Sequence, residues 1–210
     1  MKTFTVIRNY DSPGLWEHSV MGAGAKRILT IPDSCILRSG NAYFVPDFSE
    51  RFEVFPSIAC RIGRLGKGFA ARFAGRYIES MGICCCAIAT PMLSSLRSLG
   101  DPWSEALCYD RSLWLGNLTD PVTFNSYGSI KISATDRHGN EVAHIDYDPN
   151  KITNPLPSII EELARDNTLK NGDLILVALT PEGIILEPGI DIKASAGVLN
   201  DTNLIDIRIR

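Results

Sequence analysis

The chain contains the stretch Glu53-Val54-Phe55-Pro56-Ser57-Ile58-Ala59-Cys60-Arg61-Ile62, and a second apolar stretch follows at Ile83-Cys84-Cys85-Cys86-Ala87-Ile88-Ala89. Both are short, continuous runs of β-branched and small apolar residues, which is typical of buried β-strands. We therefore predict a strand at each of these two stretches.

Several other stretches have the same character, and they make the protein mainly β. The further predicted strands are Thr3 to Arg8, Ile28 to Ile31, Ser129 to Thr135, Asp173 to Leu179 and Asn203 to Ile209. The polar loop from Asp136 to Asn140 separates two alternating runs and predicts a β-hairpin.

Two amphipathic helices are predicted beside the strands. Phe69, Phe73 and Tyr77 recur every four residues between Gly68 and Met81, and Pro157 to Asp166 repeats apolar residues at helical spacing. The strands are too unevenly spaced for a regular β-α-β winding, and no repeat or linker divides the chain. The expectation is one α+β domain spanning residues 1–210.

Composition limits the functional class. The 210 residues are 45% hydrophobic and 21% charged, as a globular domain with a sizeable core requires. The formal net charge is -3, and basic residues are spread along the chain, so no nucleic-acid partner is expected. The apolar run from Gly82 to Leu93 is too short to span a bilayer, and the first ten residues lack a signal-peptide core. We expect a cytoplasmic protein that does not enter a membrane.

The cysteine triplet Cys84 to Cys86 is the most unusual local feature. The six cysteines lack the regular spacing of a disulfide framework, so reduced thiols are expected. On a strand, Cys84 and Cys86 face one side and Cys85 the other, which is a poor arrangement for holding a metal. Buried apolar packing is the plain interpretation of all three.

Ordered sequence motifs run through nearly the whole chain. They are Asn9-Tyr10, Ile31-Pro32-Asp33, Phe44-Val45-Pro46-Asp47, Arg61-Ile62-Gly63-Arg64, Pro102-Trp103, Tyr109-Asp110, Leu169-Lys170-Asn171-Gly172-Asp173 and Thr180-Pro181-Glu182-Gly183. In this order and combination the chain resembles the fumarylacetoacetate hydrolase family.

The resemblance implies a mixed β-sheet curled into a flattened barrel or roll with a few short helices, usually in a dimer. Members of the family hydrolyse or decarboxylate small diketo or oxo acids. They use Mg²⁺, Ca²⁺ or Mn²⁺, held by a Glu-x-Glu pair on one strand and an aspartate on the next. Carboxylate oxygens suit such hard cations, which act as Lewis acids on the substrate.

The positions that match the family's ligands carry other residues. Counting back from Gly63, the two glutamate positions fall on Phe55 and Ser57, and the aspartate position falls on Cys86. The matching position of a substrate-binding lysine is Leu107, whereas Thr180 of the Thr-Pro-x-Gly turn is retained. We expect no metal and no other cofactor.

Glu53 is a weak candidate metal ligand. It lies two residues before Phe55, and a two-residue slide along a strand preserves the face that a side chain takes. It offers one carboxylate where the resemblance implies three.

The leading hypothesis from the sequence is a non-catalytic paralogue that acts as a binding or partner subunit, in a homodimer or in a heterodimer with an active relative. The alternative is an active hydrolase, isomerase or decarboxylase with changed chemistry, in which Cys86 is the nucleophile and His18 the base. A third hypothesis is a protein that binds a small molecule without turnover in a cleft lined by Phe55, Ser57, Cys86, Leu107 and Thr180.

Overall fold

A computed structural model of the protein describes residues 1–11, 15, 26–196 and 199–210. Within these residues the chain alternates many strands with a few short helices. The strands are β1 (Thr3–Ile7), β2 (Arg27–Ile31), β3 (Ile36–Arg38), β4 (Ala42–Tyr43), β5 (Glu53–Ile62), β6 (Ile78–Ile88), β7 (Leu113–Thr119), β8 (Ile130–Thr135), β9 (Glu141–Tyr147), β10 (Leu174–Leu176), β11 (Ile184–Ile185), β12 (Asp191–Ala196) and β13 (Leu199–Ile209). The α-helices are α1 (Thr90–Leu99), α2 (Pro121–Asn125) and α3 (Leu156–Asp166), and 3-10 helices cover Asp33–Cys35, Ala71–Arg76, Ser104–Ala106 and Pro149–Lys151.

The strands form two sheets. The first has the order β2-β1-β10-β5-β6-β7-β3, with β11 added alongside β5, and the second has the order β4-β13-β12-β8-β9. In the first sheet β1 pairs parallel with β10 and β3 with β7, while the other pairs are antiparallel. This mixed sheet curls into a half-barrel, as the sequence predicted.

The longest pairing joins β5 and β6 in the middle of the first sheet. The register runs from Glu53 opposite Ile88 to Ile62 opposite Ile78, with Phe55 opposite Cys86. Most residues of the two strands are buried on both faces, apart from Glu53, Arg61 and the first three residues of β6. The apolar stretches seen in the sequence therefore form the centre of the core.

The two sheets approach each other closely at Gly116 of β7. A Cβ atom added there would collide with the backbone oxygen of Leu204 on β13 and lie 2.8 Å from the side chain of Ile205. Only a residue without a side chain lets the two backbones come so near. Gly116 therefore fixes how tightly the second sheet packs on the first.

Most sequence predictions of the fold are confirmed. The β5 bounds are those predicted, the hairpin forms from β8 and β9, and α3 covers the second predicted helix. The cysteine triplet is fully buried in β6. No helix among the described residues is long and apolar enough to cross a membrane.

The helix predicted from Gly68 to Met81 is wrong. The chain forms a 3-10 helix at Ala71–Arg76 and then enters β6 at Ile78. Phe69 and Tyr77, which we had placed on one helix face, instead stack on each other with ring centroids 3.8 Å apart. Pairing of β6 with β5 extends to Ile78 and outweighs the local helical pattern.

Several further strands and α-helices lie outside the predicted set. These are β3, β4, β7, β11, β12, α1 and α2. In α1, Pro91 occupies the first turn, where its missing N–H costs nothing, and Gly100 ends the helix in a left-handed conformation.

Asn9 connects the end of β1 to two other parts of the chain. Its amide nitrogen donates to the carbonyl oxygens of Asn154 (3.1 Å) and Val177 (2.9 Å), and its oxygen accepts from the backbone N–H of Asn154 at 2.8 Å. The side chain is fully buried. These bonds hold the segment after β9 against the end of β10.

Replacing Asn9 by alanine is expected to lower the free energy of unfolding by about 2 to 4 kcal/mol, because several buried polar groups lose their partners together. Urea denaturation measures the change. The exposed Asn41, whose side-chain amide donates to the oxygen of Arg38, is the control, and N41A is expected to cost less than about 0.5 kcal/mol. Equal effects of the two substitutions would show that Asn9 does not connect these segments.

Candidate functional site

The candidate site is the face of the β5–β6 pair that carries the positions matched to the family's ligands. Successive residues of a strand alternate faces, so Phe55 and Ser57 share one face. Cys86 lies directly opposite Phe55, and Cys84 lies opposite Ser57. The structure therefore brings together the three residues that match the family's ligand positions.

The ring of Phe55 fills the space over this face of β5. The side chain is 1% exposed, and a Cβ atom added at Gly183 would lie 2.7 Å from its Cζ atom. The ring is thus packed against the bare backbone of the Thr-Pro-x-Gly turn. An aromatic ring occupies the position where the family resemblance implies a carboxylate.

The hydroxyl group of Ser57 links β5 to the segment after β10. Its Oγ accepts a hydrogen bond from the backbone N–H of Ala178 at 3.0 Å, and it donates a longer one, 3.4 Å, to the oxygen of Ile58. Tyr147 donates from its hydroxyl to the oxygen of Ala178 at 3.1 Å. Ser57 and Tyr147 therefore satisfy both backbone polar groups of one buried residue.

The thiol of Cys86 is held in its neutral form. Burial raises the pKa of Cys86 well above its ordinary value, and the neighbouring sulfurs of Cys108, Cys35 and Cys85 raise it further. A nucleophilic cysteine needs a lowered pKa and access to solvent. The environment of Cys86 thus opposes the changed-chemistry hypothesis, and His18, its suggested base, lies outside the described residues.

Glu53, the weak candidate ligand, is already engaged. Its Oε1 accepts a hydrogen bond from the hydroxyl of Thr90 at 2.7 Å and forms an ion pair with Nε of Arg51 at 3.1 Å. Thr90 begins α1, so the carboxylate also lies at the positive end of that helix. These contacts give Glu53 a structural role at the start of α1.

Leu107 and Thr180 are both buried. The oxygen of Leu107 accepts from the hydroxyl of Ser112 at 2.6 Å. Thr180 donates from its hydroxyl to the oxygen of Glu182 at 2.8 Å, and its backbone N–H donates to the oxygen of Pro56 at 3.0 Å. The retained threonine therefore shapes its own turn and anchors it to β5.

The residues at this face do not fit a hard divalent cation. Magnesium and calcium prefer several carboxylate, carbonyl or water oxygens, whereas Phe55 offers none, Ser57 has a hydroxyl already bonded to Ala178, and Cys86 offers a soft sulfur. Among residues 1–11, 15, 26–196 and 199–210, no group of three His, Cys, Asp or Glu side chains could hold a metal ion.

Sequence reasoning missed two contributors to this face. Tyr147 is the fully buried end of β9, and burial raises its pKa well above the usual value, a shift that contact with Ser57 partly offsets. Gly183 was seen only as a turn glycine. The sequence did contain a signal for Tyr147, because an aromatic residue stands at the end of a strand in which polar and apolar residues alternate.

Comparison with known proteins identifies the fold. No model of a protein family matches the chain, and no curated protein matches it in sequence. Among solved structures, a protein from Yersinia pestis CO92 assigned to the fumarylacetoacetate hydrolase family superposes with a TM-score of 0.84 at 17% identity, covering 100% of this chain and 93% of that one.

Two enzymes superpose nearly as well. Fumarylpyruvate hydrolase from Pseudomonas aeruginosa, solved with Mn²⁺ and pyruvate, gives a TM-score of 0.79 at 17% identity, covering 100% of this chain and 89% of that one. 5-Carboxymethyl-2-hydroxymuconate delta-isomerase from Mycobacterium smegmatis gives 0.74 at 18% identity, covering 99% and 78%. The protein has the fumarylacetoacetate hydrolase fold, as the sequence resemblance predicted.

The reactivity of the thiols tests Cys86 as a nucleophile. Burial raises the pKa of the partly exposed Cys108 to about 11, so its alkylation by iodoacetamide should rise about tenfold per pH unit from pH 6 to 9 without levelling off. Cys86 should label more slowly than Cys108 throughout. Peptide mass spectrometry measures both rates, with the urea-unfolded protein as control. Faster labelling of Cys86 with a plateau below pH 8 would support the nucleophile.

The contact between Phe55 and Gly183 is tested by a double-mutant cycle. Phe55→Ala should cost about 3 to 5 kcal/mol of unfolding free energy because it leaves a cavity. Gly183→Ala should cost about 1 to 3 kcal/mol because its methyl group meets the ring. In the double variant the methyl group enters the vacated space, so the two losses should fall short of additivity by at least about 0.5 kcal/mol. Additive losses in urea denaturation would mean that the ring does not fill this space.

Proposed function

We propose that the chain is a non-catalytic member of the fumarylacetoacetate hydrolase family. In this proposal its 210 residues form a single domain that acts in the cytoplasm as a partner subunit, in a homodimer or with an active relative. The fold shared with a hydrolase and an isomerase of the family supports the family assignment. The six free cysteines suit a reducing compartment.

The observation that carries the proposal is the position of Phe55. The first ligand position holds a buried aromatic ring packed against Gly183, so the volume in front of the strand is occupied by protein. A metal ion and an oxo acid would require that ring to leave, which exposes apolar surface and opens a cavity. Loss of a metal ligand alone would not fill this space with protein.

The electrostatics of the face support the same proposal. Beside Phe55 lie a bonded serine hydroxyl and protonated thiols, and the lysine position holds a buried leucine. The one carboxylate on this face of β5, that of Glu53, already pairs with Arg51. A dication placed there would lose its hydration and gain at most one carboxylate that already has a cation beside it, which is costly. An anionic substrate would also lack the cation that the family's lysine supplies.

A filled face favours a partner role over small-molecule binding. Ligand pockets are concave and expose a few convergent polar groups. Here Ser57, Thr180 and Tyr147 direct their polar atoms into the protein's own hydrogen bonds. The family's fold remains available for association while its cleft is used for packing.

Metal binding and turnover test the proposal together. Calorimetric titration with Mn²⁺ and with Mg²⁺ is expected to show no stoichiometric binding, because no carboxylates converge at the face. Assays with acylpyruvates and oxaloacetate at saturating Mn²⁺ should give no rate above the buffer.

The fumarylpyruvate hydrolase from Pseudomonas aeruginosa, run under the same conditions, serves as the positive control for metal binding and turnover. Tight binding of one metal ion per chain, or metal-dependent turnover that Phe55→Ala changes, would disprove a non-catalytic role. Light scattering of the pure protein then reports whether it is a homodimer.

A further inference from the structure

The connection between β5 and β6, residues 63–77, has an unusual charge distribution. It contains Arg64, Lys67, Arg72 and Arg76 and no acidic residue. The whole chain has a formal net charge of -3, so the remainder carries -7. Because β5 and β6 pair as far as Ile62 and Ile78, all four basic residues lie at one end of the first sheet. We call these four residues the basic connection.

The basic connection is exposed and carries more positive charge than the acids beside it offset. All four side chains are exposed, and within the described part of the chain none of them forms an ion pair. Among the acids nearby, Glu162 pairs with Lys26 and Asp166 with Arg165. Glu161 of α3 and Glu79 at the start of β6 also lie beside the connection. Four positive charges against these two negative ones leave the connection with an excess of positive charge.

Backbone contacts hold this connection in place. Gly63 donates to the oxygen of Tyr77 at 2.8 Å, Gly66 and Leu169 exchange hydrogen bonds of 3.0 and 2.9 Å, and Gly68 donates to the oxygen of Ala164 at 2.8 Å. A charged surface that is already ordered loses little conformational entropy when it binds. The connection is therefore ordered by backbone hydrogen bonds before any partner binds.

Two of the arginines are aligned by an aromatic ring. The guanidinium carbons of Arg72 and Arg76 lie 4.9 and 5.0 Å from the ring centroid of Phe73. Planar guanidinium groups set on a ring are well suited to bidentate bonds with carboxylates or phosphates. Lys67 also lines a depression of about 600 Å³, together with Lys2, Lys170 and the two aspartates Asp166 and Asp173.

We propose that the basic connection docks an acidic segment of a partner protein. Leu65, 70% exposed between Arg64 and Lys67, supplies an apolar contact of the kind found inside polar protein interfaces. The biological role of this surface rests on the proposed function as a partner subunit, and it names the chemistry of the partner.

Single-stranded nucleic acid fits the connection less well. Base binding needs free aromatic faces, whereas Phe69 and Tyr77 stack on each other and Phe73 lies beside two arginines. The charge of -7 on the remainder also opposes a long polyanion lying across the molecule. A short acidic segment that stays at one end of the sheet avoids this repulsion.

Fluorescence anisotropy with a labelled twelve-residue peptide of alternating Glu and Leu tests the docking surface. The quadruple variant R64Q/K67Q/R72Q/R76Q should weaken peptide binding at least tenfold and flatten its dependence on salt. The control R38Q/K151Q/K193Q/R208Q makes the same change in charge at exposed residues elsewhere, and it should weaken binding less than twofold. Thermal melting of both variants checks that each is folded.

The other outcomes overturn the proposal. If a peptide with Gln in place of Glu binds equally well, the basic connection does not recognise negative charge. Equal weakening by both quadruple variants would show a net-charge effect without a site. Tighter binding of a twelve-nucleotide thymidine oligomer would assign the surface to nucleic acid, and self-association lost only in R64Q/K67Q/R72Q/R76Q would assign it to a second copy of the chain. Absence of peptide binding refutes the surface but leaves the metal and turnover results, and so the proposed function, untouched.

Discussion

The pairing of β5 with β6 is the constraint on which the rest of the structure depends. Its register sets Phe55 opposite Cys86 and so creates the face described above. The same two strands lie at the centre of the first sheet and bury side chains on both faces. Their connection carries the basic residues at the sheet's end. The core, the candidate site and the charged surface thus follow from one long antiparallel pair.

The chemistry of the central face is that of a protein interior. Where the family resemblance implies charged oxygens around an ion, this chain has a ring, a bonded hydroxyl and neutral thiols. Each group that could have faced a ligand is satisfied by the chain itself, as buried polar groups require. Hydrophobic burial and internal hydrogen bonds hold the face together in place of ion coordination.

The sequence predicted the strands better than the helices. Glu53 to Ile62 was identifiable as a strand because its apolar run is long and contains no charge between Glu53 and Arg61. The segment from Gly68 to Met81 was wrongly predicted as a helix because its aromatic residues are spaced four apart, as on a helix face. The pairing of β6 with β5, which reaches Ile78, makes the end of the segment a strand instead. Phe55, Ser57 and Cys86 could be named by counting along the motifs. The contact of Phe55 with Gly183 could not, since it joins distant parts of the chain. The expectation that basic residues are spread along the chain was wrong for residues 63–77, which contain four of them and no acidic residue.

The packing of Phe55 on Gly183 also constrains how this protein can change. A single substitution of Phe55 by glutamate would bury an unpaired carboxylate and vacate the volume of a ring, so it would destabilise the fold before any metal could compensate. The glycine, in turn, can gain a side chain only if the ring shifts, which costs stability. Each residue therefore limits the substitutions tolerated at the other. A return to a carboxylate-lined site would need several coordinated replacements, and this makes the present state difficult to reverse by single mutations.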